Sequence, residues 1–311
     1  MRPVLVTGGS GALGRQLISL LLERGDDVTA LARTVPTVDA PPAATWLEAD
    51  LRHEEAIDRA LERLQPAVIF HLAGARGGSH GDLTAINVAG LSHLIGALAR
   101  RGLRPRVIIA GSSAQYGLRQ SSAPVAETEA LRAESWYGAT KNAQEALAFG
   151  AFRASGLETI AARLFNLIGP GQRAGLIAAD IALQLVDPGT TELVVGATDG
   201  VRDFVDYRDA ARALLLLAET GEPGRAYNVA SGSGTPIRSI IETLLERSLR
   251  NDLAIVERTA PGQAPGGQLI GDATALADAT GWAPRHALDE SLADQFDVHA
   301  RDWRDSATRN P

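Results

Sequence analysis

Short apolar runs alternate with amphipathic stretches through the first half of the chain. This alternation is typical of a parallel β-sheet whose strands are joined by crossover helices. The predicted strands are residues 4–7, 28–32, 67–72, 106–110 and 158–163. Apolar residues recur at helical spacing in the intervening stretches 13–25, 57–64, 91–98 and 137–152. The pattern therefore predicts an α/β fold with a doubly wound parallel sheet.

The second half of the chain has a less regular pattern. Turn-forming residues are dense in the stretches 169–171, 187–200 and 260–267. Residues 207–229 again have the pattern of a helix followed by a strand. We expect a first domain over residues 1–168, to which the chain returns at about 206–245. Residues 169–205 and 246–311 are expected to form a smaller, mixed α/β C-terminal lobe.

The composition narrows the class of protein. With 311 residues, 45% of them hydrophobic and 22% charged, the chain can bury a large core. A net charge of −7 without a basic stripe argues against nucleic acid as a partner. The sequence has no cysteine, which excludes disulfides and thiolate metal ligands. Its six histidines are scattered singly, so we expect no metal site.

The N-terminal sequence runs from Met1 directly into the first predicted strand, without the features of a signal peptide. The pattern shows no apolar run that approaches the length of a membrane span. We therefore expect a cytoplasmic protein with no membrane partner.

A glycine-rich turn follows the first predicted strand and opens the first helix. Residues 7–14 read Thr-Gly-Gly-Ser-Gly-Ala-Leu-Gly, which contains both Gly-x-x-Gly-x-x-Gly and Gly-x-Gly-x-x-Gly. Glycines allow a tight turn and a close approach to a pyrophosphate, which the N–H groups at a helix start attract. In this context we favour dinucleotide binding on a Rossmann sheet over a merely structural turn. The predicted cofactor contacts are Gly8, Gly9, Ser10, Gly11, Ala12, Leu13 and Gly14.

The end of the second predicted strand indicates which dinucleotide binds. It has no carboxylate to accept hydrogen bonds from the ribose 2′-OH of NAD, whereas Arg33 can pair with a 2′-phosphate. We therefore predict NADP(H) as the preferred cofactor and NAD(H) as the alternative, in which Arg33 is a solvated arginine. Asp50 and Leu51 are predicted to contact the adenine or to cap a helix. Further predicted cofactor contacts are Leu72, Ala73 and Gly74.

One lysine is present among the 30 lysines and arginines of the chain, and it follows Tyr137 by four residues. At this spacing Tyr137 and Lys141 lie on the same face of a helix. An ammonium beside a phenol favours the ionised form and lowers a pKa that is ordinarily near ~10. Tyr137 is therefore a candidate acid and base. A surface Tyr/Lys pair, which helices carry by chance, is the alternative interpretation.

These motifs, together with Ser112 and Ser113 after a predicted strand, resemble the extended short-chain dehydrogenase/reductase family. The likeness runs almost end to end. Further segments are similar to the nucleotide-sugar branch of the family: residues 163–172, 202–209, 226–229 and 281–284. The closest pattern is that of the GDP-mannose 4,6-dehydratases and GDP-4-keto-6-deoxymannose reductases. The resemblance implies a dinucleotide-binding first domain, a substrate-binding lobe and a homodimer.

The resemblance also implies roles for individual residues. It makes Ser112 the hydroxyl that binds the reacting oxygen of the substrate, with Ser113 as the alternative. It makes Tyr137 the proton donor or acceptor. Lys141 would hold the nicotinamide ribose and lower the pKa of Tyr137.

The substrate implied by the resemblance is a nucleotide sugar. Asn166 and Arg202 would contact its pyrophosphate. The family commonly has a second phosphate-binding arginine in the C-terminal lobe, which residues 262–265 lack, and Arg258 is a candidate replacement. Trp136 is expected either to line the sugar pocket or to pack in the core.

Three functions are compatible with these features. The first is NADPH-dependent reduction of a 4-keto-6-deoxy sugar nucleotide. The second is an epimerase or dehydratase with tightly bound NAD, although dehydratases carry an acid at the position of Ala114. The third is a non-enzymatic dinucleotide sensor, against which the complete Ser/Tyr/Lys set argues.

Overall fold

The structure is a computed structural model that describes residues 1–36, 41–258 and 266–309. Its strands are β1 (Pro3–Thr7), β2 (Asp27–Ala32), β3 (Thr45–Glu48), β4 (Val68–His71), β5 (Arg106–Ser112), β6 (Thr159–Leu164), β7 (Asn166–Ile168), β8 (Glu192–Val195), β9 (Val201–Arg202), β10 (Phe204–Asp206), β11 (Ala226–Val229), β12 (Thr235–Pro236), β13 (Ala254–Glu257) and β14 (Gln268–Leu269). Its α-helices are α1 (Ala12–Glu23), α2 (Glu54–Leu61), α3 (His80–Thr84), α4 (Gly90–Arg100), α5 (Trp136–Ser155), α6 (Ile177–Val186), α7 (Tyr207–Thr220), α8 (Ile237–Ser248), α9 (Thr274–Thr280) and α10 (Leu288–Arg309). A π-helical turn, Ala85–Ala89, joins α3 to α4.

Seven strands form one parallel sheet in the order β11-β6-β5-β4-β1-β2-β3. The order reverses at β1, because the chain moves outward to β3 and then crosses to β4 on the other side. The predicted Rossmann fold is therefore confirmed. In such sheets ligands bind beyond the carboxyl ends of the strands, at the point where the order reverses.

Helices cover both faces of this sheet, and strands β1, β2, β4 and β5 contribute buried residues to two cores. Val6 of β1 lies in one core with Leu17 of α1 and Leu214 of α7. Its neighbour Leu5 lies in the other core, with residues of α2 and α4 such as Leu94. This alternation follows from the period of two along a strand.

Strand β3 was not predicted. Its sequence, Thr-Trp-Leu-Glu, is short, and its side chains are half-buried or exposed. The strand is defined by its parallel pairing with β2, in which Ala30 lies opposite Trp46. Because the pairing joins Ala30 to Trp46 across an intervening segment, the hydrophobic pattern within β3 alone does not predict it.

A separate core holds the C-terminal lobe together. It is formed by α6, α8 and α10 with the small β13-β8 pair, and its buried residues include Ile181, Leu193 and Ile241. Because α8 belongs to this core, we propose that the segment returning to the first domain ends before Ile237 and not at about residue 245. Later in the chain α9 packs on α7 and β11, and its Leu276 is buried in a core of the first domain.

The expectation about apolar segments needs one correction. In the described part of the chain, the helical segment His80–Arg100 is long and apolar enough to cross a membrane by length and composition. In the most apolar 18-residue stretch of this segment, 39% is buried inside the protein. It packs against α2 and α5, and core helices pass the same test of length and composition.

Candidate active site

The glycine-rich turn connects β1 to α1 at the point where the strand order reverses. Gly8 has a φ of +73°, and a Cβ atom there would lie 2.6 Å from the backbone nitrogen of Ala73. A Cβ atom on Gly14 would lie 2.5 Å from the carbonyl oxygen of Gly8. Only glycine fits these two positions, because the turn, α1 and the end of β4 approach one another so closely. Gly11 caps α1 without a side-chain hydrogen bond, so the first N–H groups of the helix are available to an anion.

A cavity opens above this turn, and most of the predicted cofactor contacts line it. These are Gly8, Ser10, Gly11, Arg33, Asp50, Leu51, Leu72, Ala73 and Gly74. The other six predicted contacts, Gly9, Ala12, Leu13, Gly14, Tyr137 and Lys141, are not part of its lining. Leu13 instead packs in the core, and Gly9 faces Ala30 and Ile18. We call this space the cofactor cavity.

Arg33 is the cation of the cofactor cavity. It is exposed at the end of β2, and it makes no hydrogen bond or ion pair with any residue that the structure describes. Asp50 accepts hydrogen bonds from the backbone and guanidinium of Arg52, which lower the pKa of its carboxyl group. It is not the cap of α2, since that position is occupied by His53. The residues around Arg33 offer a cofactor site with an unpaired guanidinium at its edge.

Ser112 and Tyr137 meet at the carboxyl end of β5. Ser112 is the last residue of β5, and Tyr137 lies in the first turn of α5. The side chain of Ser135 caps this helix by accepting a hydrogen bond of 3.0 Å from the backbone of Gly138. Tyr137 and Ser112 line the same cavity, and Ser112 lowers the pKa of Tyr137. The sequence-predicted pair is therefore brought together at one site.

Burial raises the pKa of the Tyr137 phenol. The hydrogen bond from Ser112 and the charge of Arg76 act against this shift. The net shift is upward, so the low pKa predicted from the Tyr/Lys spacing is not found. A neutral phenol is the form that can donate a proton.

Lys141 is buried beneath the site, with 4% of its surface exposed. Its Nζ donates hydrogen bonds to the carbonyl oxygen of Ala110, at 2.8 Å, and to Oε1 of Gln144, at 2.9 Å. Burial lowers the pKa of the ammonium to about 8. Gly74 lines the cofactor cavity, and a Cβ atom built on Gly74 would lie 3.3 Å from the Nζ atom of Lys141. The ammonium therefore adjoins the cofactor cavity while its present bonds are directed into the protein.

A series of hydrogen bonds and an ion pair among buried side chains links the backbone of Ser112 to neighbouring elements. The backbone N–H of Ser112 donates to Oε1 of Gln115 at 2.8 Å, and Gln115 donates to Glu145 at 2.9 Å. Glu145 forms a buried ion pair of 2.6 Å with Arg163. Ser113, the alternative to Ser112, is buried but also lines the substrate side of the site. This series ties the end of β5 to α5 and β6.

Asn87 is a site residue that sequence reasoning missed. The π-helical turn directs it toward the loop after β4, where it exchanges hydrogen bonds of 2.8 and 2.9 Å with the backbone of Ala75. It also donates to the hydroxyl of Thr140 on α5, at 3.0 Å. Insertions of this type are frequent at functional sites. The sequence signal was a polar residue in the otherwise apolar stretch Ala85–Ala89.

His71 also lies under the site, at the end of β4. Its Nδ1 is 3.1 Å from the hydroxyl of Thr7. Burial, with a contribution from the charge of Lys141, lowers the pKa of the imidazole to about 3. His71 is therefore neutral at physiological pH.

A second cavity, the substrate cavity, opens beside the cofactor cavity. Of the predicted residues, Ser112, Ser113, Tyr137, Asn166 and Arg202 line it. Ala114, Arg76 and Tyr207 line it as well.

The two residues predicted to bind pyrophosphate both donate hydrogen bonds to backbone carbonyl oxygens. The Asn166 amide donates to the carbonyl oxygen of Asp203 at 2.8 Å. The Arg202 guanidinium donates to the carbonyl oxygens of Val201 and Gly267, at 2.9 and 2.8 Å, and burial lowers its pKa.

Two expectations about the substrate cavity were wrong. Arg258 is exposed, pairs with Glu192 at 3.0 Å and does not line the cavity, so it does not replace the second arginine. The segment 262–265, where that arginine was sought, lies outside the described residues. Trp136 neither lines the substrate cavity nor packs in the core: it is 48% exposed, and its ring stacks on the ring of His80 at 4.4 Å.

Within residues 1–36, 41–258 and 266–309, no cluster of three or more His, Cys, Asp or Glu side chains could hold a metal ion.

Comparison with known proteins agrees with this geometry. The model of the NAD dependent epimerase/dehydratase family matches residues 4–230. The dTDP-6-deoxy-L-talose 4-dehydrogenase (NAD(P)(+)) of Kitasatospora kifunensis is 29% identical over 297 residues, which cover 93% of this chain and 93% of that protein. GDP-6-deoxy-D-mannose reductase of Pseudomonas aeruginosa is 31% identical over 300 residues, covering 93% and 94%. The structure of RMD from Pseudomonas aeruginosa complexed with NADPH has a TM-score of 0.82 and 28% identity, covering 96% of this chain and 99% of that chain.

Proposed function

Because the chain belongs to the NAD dependent epimerase/dehydratase family, we propose that it reduces a keto-sugar nucleotide of the 4-keto-6-deoxy type with NADPH. It is an enzyme of the extended short-chain dehydrogenase/reductase type, and its relatives are nucleotide-sugar oxidoreductases and reductases. The observation that carries the proposal is that Ser112 and Tyr137 line the same cavity, beside the cofactor cavity.

Each residue of the site has a separate role in the proposed carbonyl reduction. When bound, the nicotinamide supplies the hydride that this chemistry needs. Ser112 donates a hydrogen bond to the carbonyl oxygen and holds it beside Tyr137. Tyr137, whose raised pKa keeps it protonated, gives its proton to that oxygen. Lys141 lies next to the cofactor cavity, where its ammonium can hold a ribose hydroxyl.

NADPH is the proposed cofactor because Arg33 is unpaired within the described chain and Ala32 leaves no carboxylate at the end of β2. The substrate is proposed to be a nucleotide sugar because Asn166 and Arg202 line the same cavity as Ser112. Two relatives act on dTDP- and GDP-linked 6-deoxy sugars, as their names state. The cytoplasmic location and the homodimer remain predictions.

An epimerase with tightly bound NAD is the second candidate, which the family description favours. It would oxidise and re-reduce the same sugar, so no cofactor would be consumed. A dehydratase has less support, because Ala114 lines the cavity and no carboxylate does so among the described residues.

The test is to incubate the purified protein with NADPH and 4-keto-6-deoxy sugar nucleotides carrying GDP, dTDP or UDP. We expect NADPH absorbance to fall in step with the formation of a reduced sugar nucleotide. Tyr137→Phe should bind NADPH but turn over roughly 10²-fold more slowly or worse, as for a lost general acid. Interconversion of two sugar nucleotides without NADPH consumption would favour the epimerase and contradict the proposal.

A further inference from the structure

The loop between β4 and α3 forms part of the wall of both cavities. Ala75 lines the cofactor cavity, and Arg76 lines the substrate cavity with Ser112 and Tyr137. We call residues 75–80, which end at the first residue of α3, the wall loop. The position of the wall loop therefore affects the shape of the substrate cavity beside the reacting groups.

The middle of the wall loop has few contacts that hold it in place. Residues 76–80 are exposed. Arg76, Gly77 and Gly78 make no hydrogen bond with any residue that the structure describes. Gly78 has a φ of +115°, and a Cβ atom on Gly77 would meet nothing within 4 Å. Because two successive glycines allow many backbone conformations, the position of the loop depends on contacts at its two ends.

Asn87 fixes the end of the wall loop that faces the cofactor cavity. Its side chain accepts a hydrogen bond of 2.8 Å from the backbone N–H of Ala75 and donates one of 2.9 Å to the carbonyl oxygen of the same residue. The Asn87 amide also donates to the hydroxyl of Thr140 on α5, at 3.0 Å. This end of the loop is thereby tied to α5.

Trp136 fixes the other end of the wall loop. Its Nε1 donates a hydrogen bond of 3.1 Å to the carbonyl oxygen of His80, and the two rings stack with their centroids 4.4 Å apart. Tryptophan combines a large stacking surface with an N–H donor, and both are used here. Trp136 is the first residue of α5, directly before Tyr137. One helix therefore holds both ends of the loop and also carries the tyrosine of the site.

We propose that Trp136 is a positioning residue: by holding His80 it keeps the wall loop, and with it Arg76, at the substrate cavity. The inference rests on the proposed function in taking this cavity as the substrate site. Trp136 does not line the cavity itself, so it acts through the loop. Without its contacts the two glycines would let Arg76 move away from the reacting groups, whereas Asn87 would still hold the cofactor side.

The first test is limited digestion of the full-length protein with trypsin, which cleaves after Arg76 when the wall loop opens. We expect Trp136→Ala, which removes both contacts, to accelerate this cleavage by roughly tenfold or more, as measured by mass spectrometry. Trp136→Phe keeps a ring but loses the donor, and His80→Ala keeps the carbonyl oxygen but loses the ring, so each should have a smaller effect. The matched control is Trp303→Ala, which removes an exposed tryptophan from α10 and should leave cleavage after Arg76 unchanged.

A second measurement distinguishes positioning of the loop from support of α5. In the NADPH assay we expect Trp136→Ala to raise KM for the keto-sugar nucleotide about tenfold with a smaller change in kcat, because a cavity wall contributes to binding in the ground state and the transition state alike. Trp136→Phe should recover part of the lost affinity.

Two results would overturn the inference. One is cleavage after Arg76 that is no faster in a folded Trp136→Ala protein than in Trp303→Ala. The other is a fall in kcat with KM unchanged, which would place the effect of Trp136 on the neighbouring Tyr137. The digestion needs neither cofactor nor substrate. A protein that does not reduce keto-sugar nucleotides would therefore contradict the proposed function, while the digestion would still decide this inference.

Discussion

At the scale of single residues, the cations of the site lie in different environments. Arg33 and Arg76 have no partner among the described residues and line the cofactor and substrate cavities respectively. Lys141 is buried and bound to Ala110 and Gln144. An ammonium fits this enclosed position better than a guanidinium, because it is compact and can lose its proton. The single lysine thus marks a site where burial, rather than contact with the phenol, governs the charge.

We predict that Lys141 makes the stability of the protein depend on pH. Its pKa is lowered by burial from 10.5 to about 8 in the folded protein. Between those values the unfolded chain binds a proton that the folded protein does not, so the free energy of unfolding should rise with pH. Lys141→Met should lose this rise, as measured by urea denaturation across the same pH range.

The control for this experiment is Arg153→Met, which changes an exposed cation on the same helix. It should keep the wild-type pH dependence. A Lys141→Met protein whose stability still rises in parallel with the wild type would show that the ammonium is not the source. The comparison also cancels the opposing effect of tyrosines such as Tyr116, whose pKa burial raises to about 12.

Arg33 should determine the choice between NADPH and NADH. Arg33→Ala should weaken NADPH binding by about 1.5–3 kcal/mol, the range for a hydrogen bond to a charged group, and leave NADH binding in place. Isothermal titration calorimetry with both cofactors measures this difference. Arg59→Ala, an exposed arginine outside the cofactor cavity, is the control. Equal affinities of the wild-type protein for the two cofactors would contradict the assignment.

At the scale of elements, the glycine turn and α1 form a unit with α7. Helix α1 packs on α7, while Gly14 brings its first turn against Gly8. The N-terminal N–H groups of α1 are thereby held next to the cofactor cavity. Cofactor binding and local packing therefore depend on the same close contact.

Gly14→Ala should weaken both the packing of α1 and the binding of NADPH. The added methyl group would lie 2.5 Å from the Gly8 carbonyl oxygen, so we expect a loss of about 1–3 kcal/mol in the free energy of unfolding and weaker NADPH binding. The control is Gly150→Ala in the middle of α5, where a Cβ atom meets nothing within 4 Å. That substitution should stabilise the protein by about 0.5–1 kcal/mol. Chemical denaturation distinguishes the two, and a neutral Gly14→Ala would argue against the tight approach.

At the scale of the whole molecule, the substrate cavity lies between the parallel sheet and the C-terminal lobe. Ser112 and Tyr137 come from the sheet side, whereas Arg202 is on a strand that pairs with β14 and β12. The chain of buried polar contacts from Ser112 continues through Arg163 to Tyr116, and then to Asn228 on the outermost strand. A substrate that spans the cavity would contact both parts of the protein.

A nucleotide sugar should therefore stabilise the protein against heating. In a thermal-shift panel of GDP, UDP, dTDP and their sugars with NADPH present, we expect at least one nucleotide sugar to raise Tm, since a ligand bound to the folded state alone stabilises it. Arg202→Gln should reduce that shift without affecting the shift caused by NADPH alone. Stabilisation by an unrelated carbonyl compound, with none by any nucleoside diphosphate, would contradict the substrate assignment.

The sequence by itself determined the features that depend on neighbouring positions in the chain. The alternation of strands and helices predicted the parallel sheet, and the spacing of Gly8, Gly11 and Gly14 predicted the turn between β1 and α1. The spacing of Tyr137 and Lys141 correctly placed both on α5. These signals are local, because a helix or a tight turn is specified by residues a few positions apart.

The tertiary structure alone decided what each side chain faces. Lys141 contacts Ala110, 31 residues earlier, and Asn87 contacts Thr140, 53 residues later, so no local pattern could reveal either contact. Arg76 reaches the cavity of Tyr137 only because β4 and β5 are adjacent in the sheet. The charge environment of a phenol depends on distances through space, whereas sequence spacing fixes only which face of a helix a residue occupies.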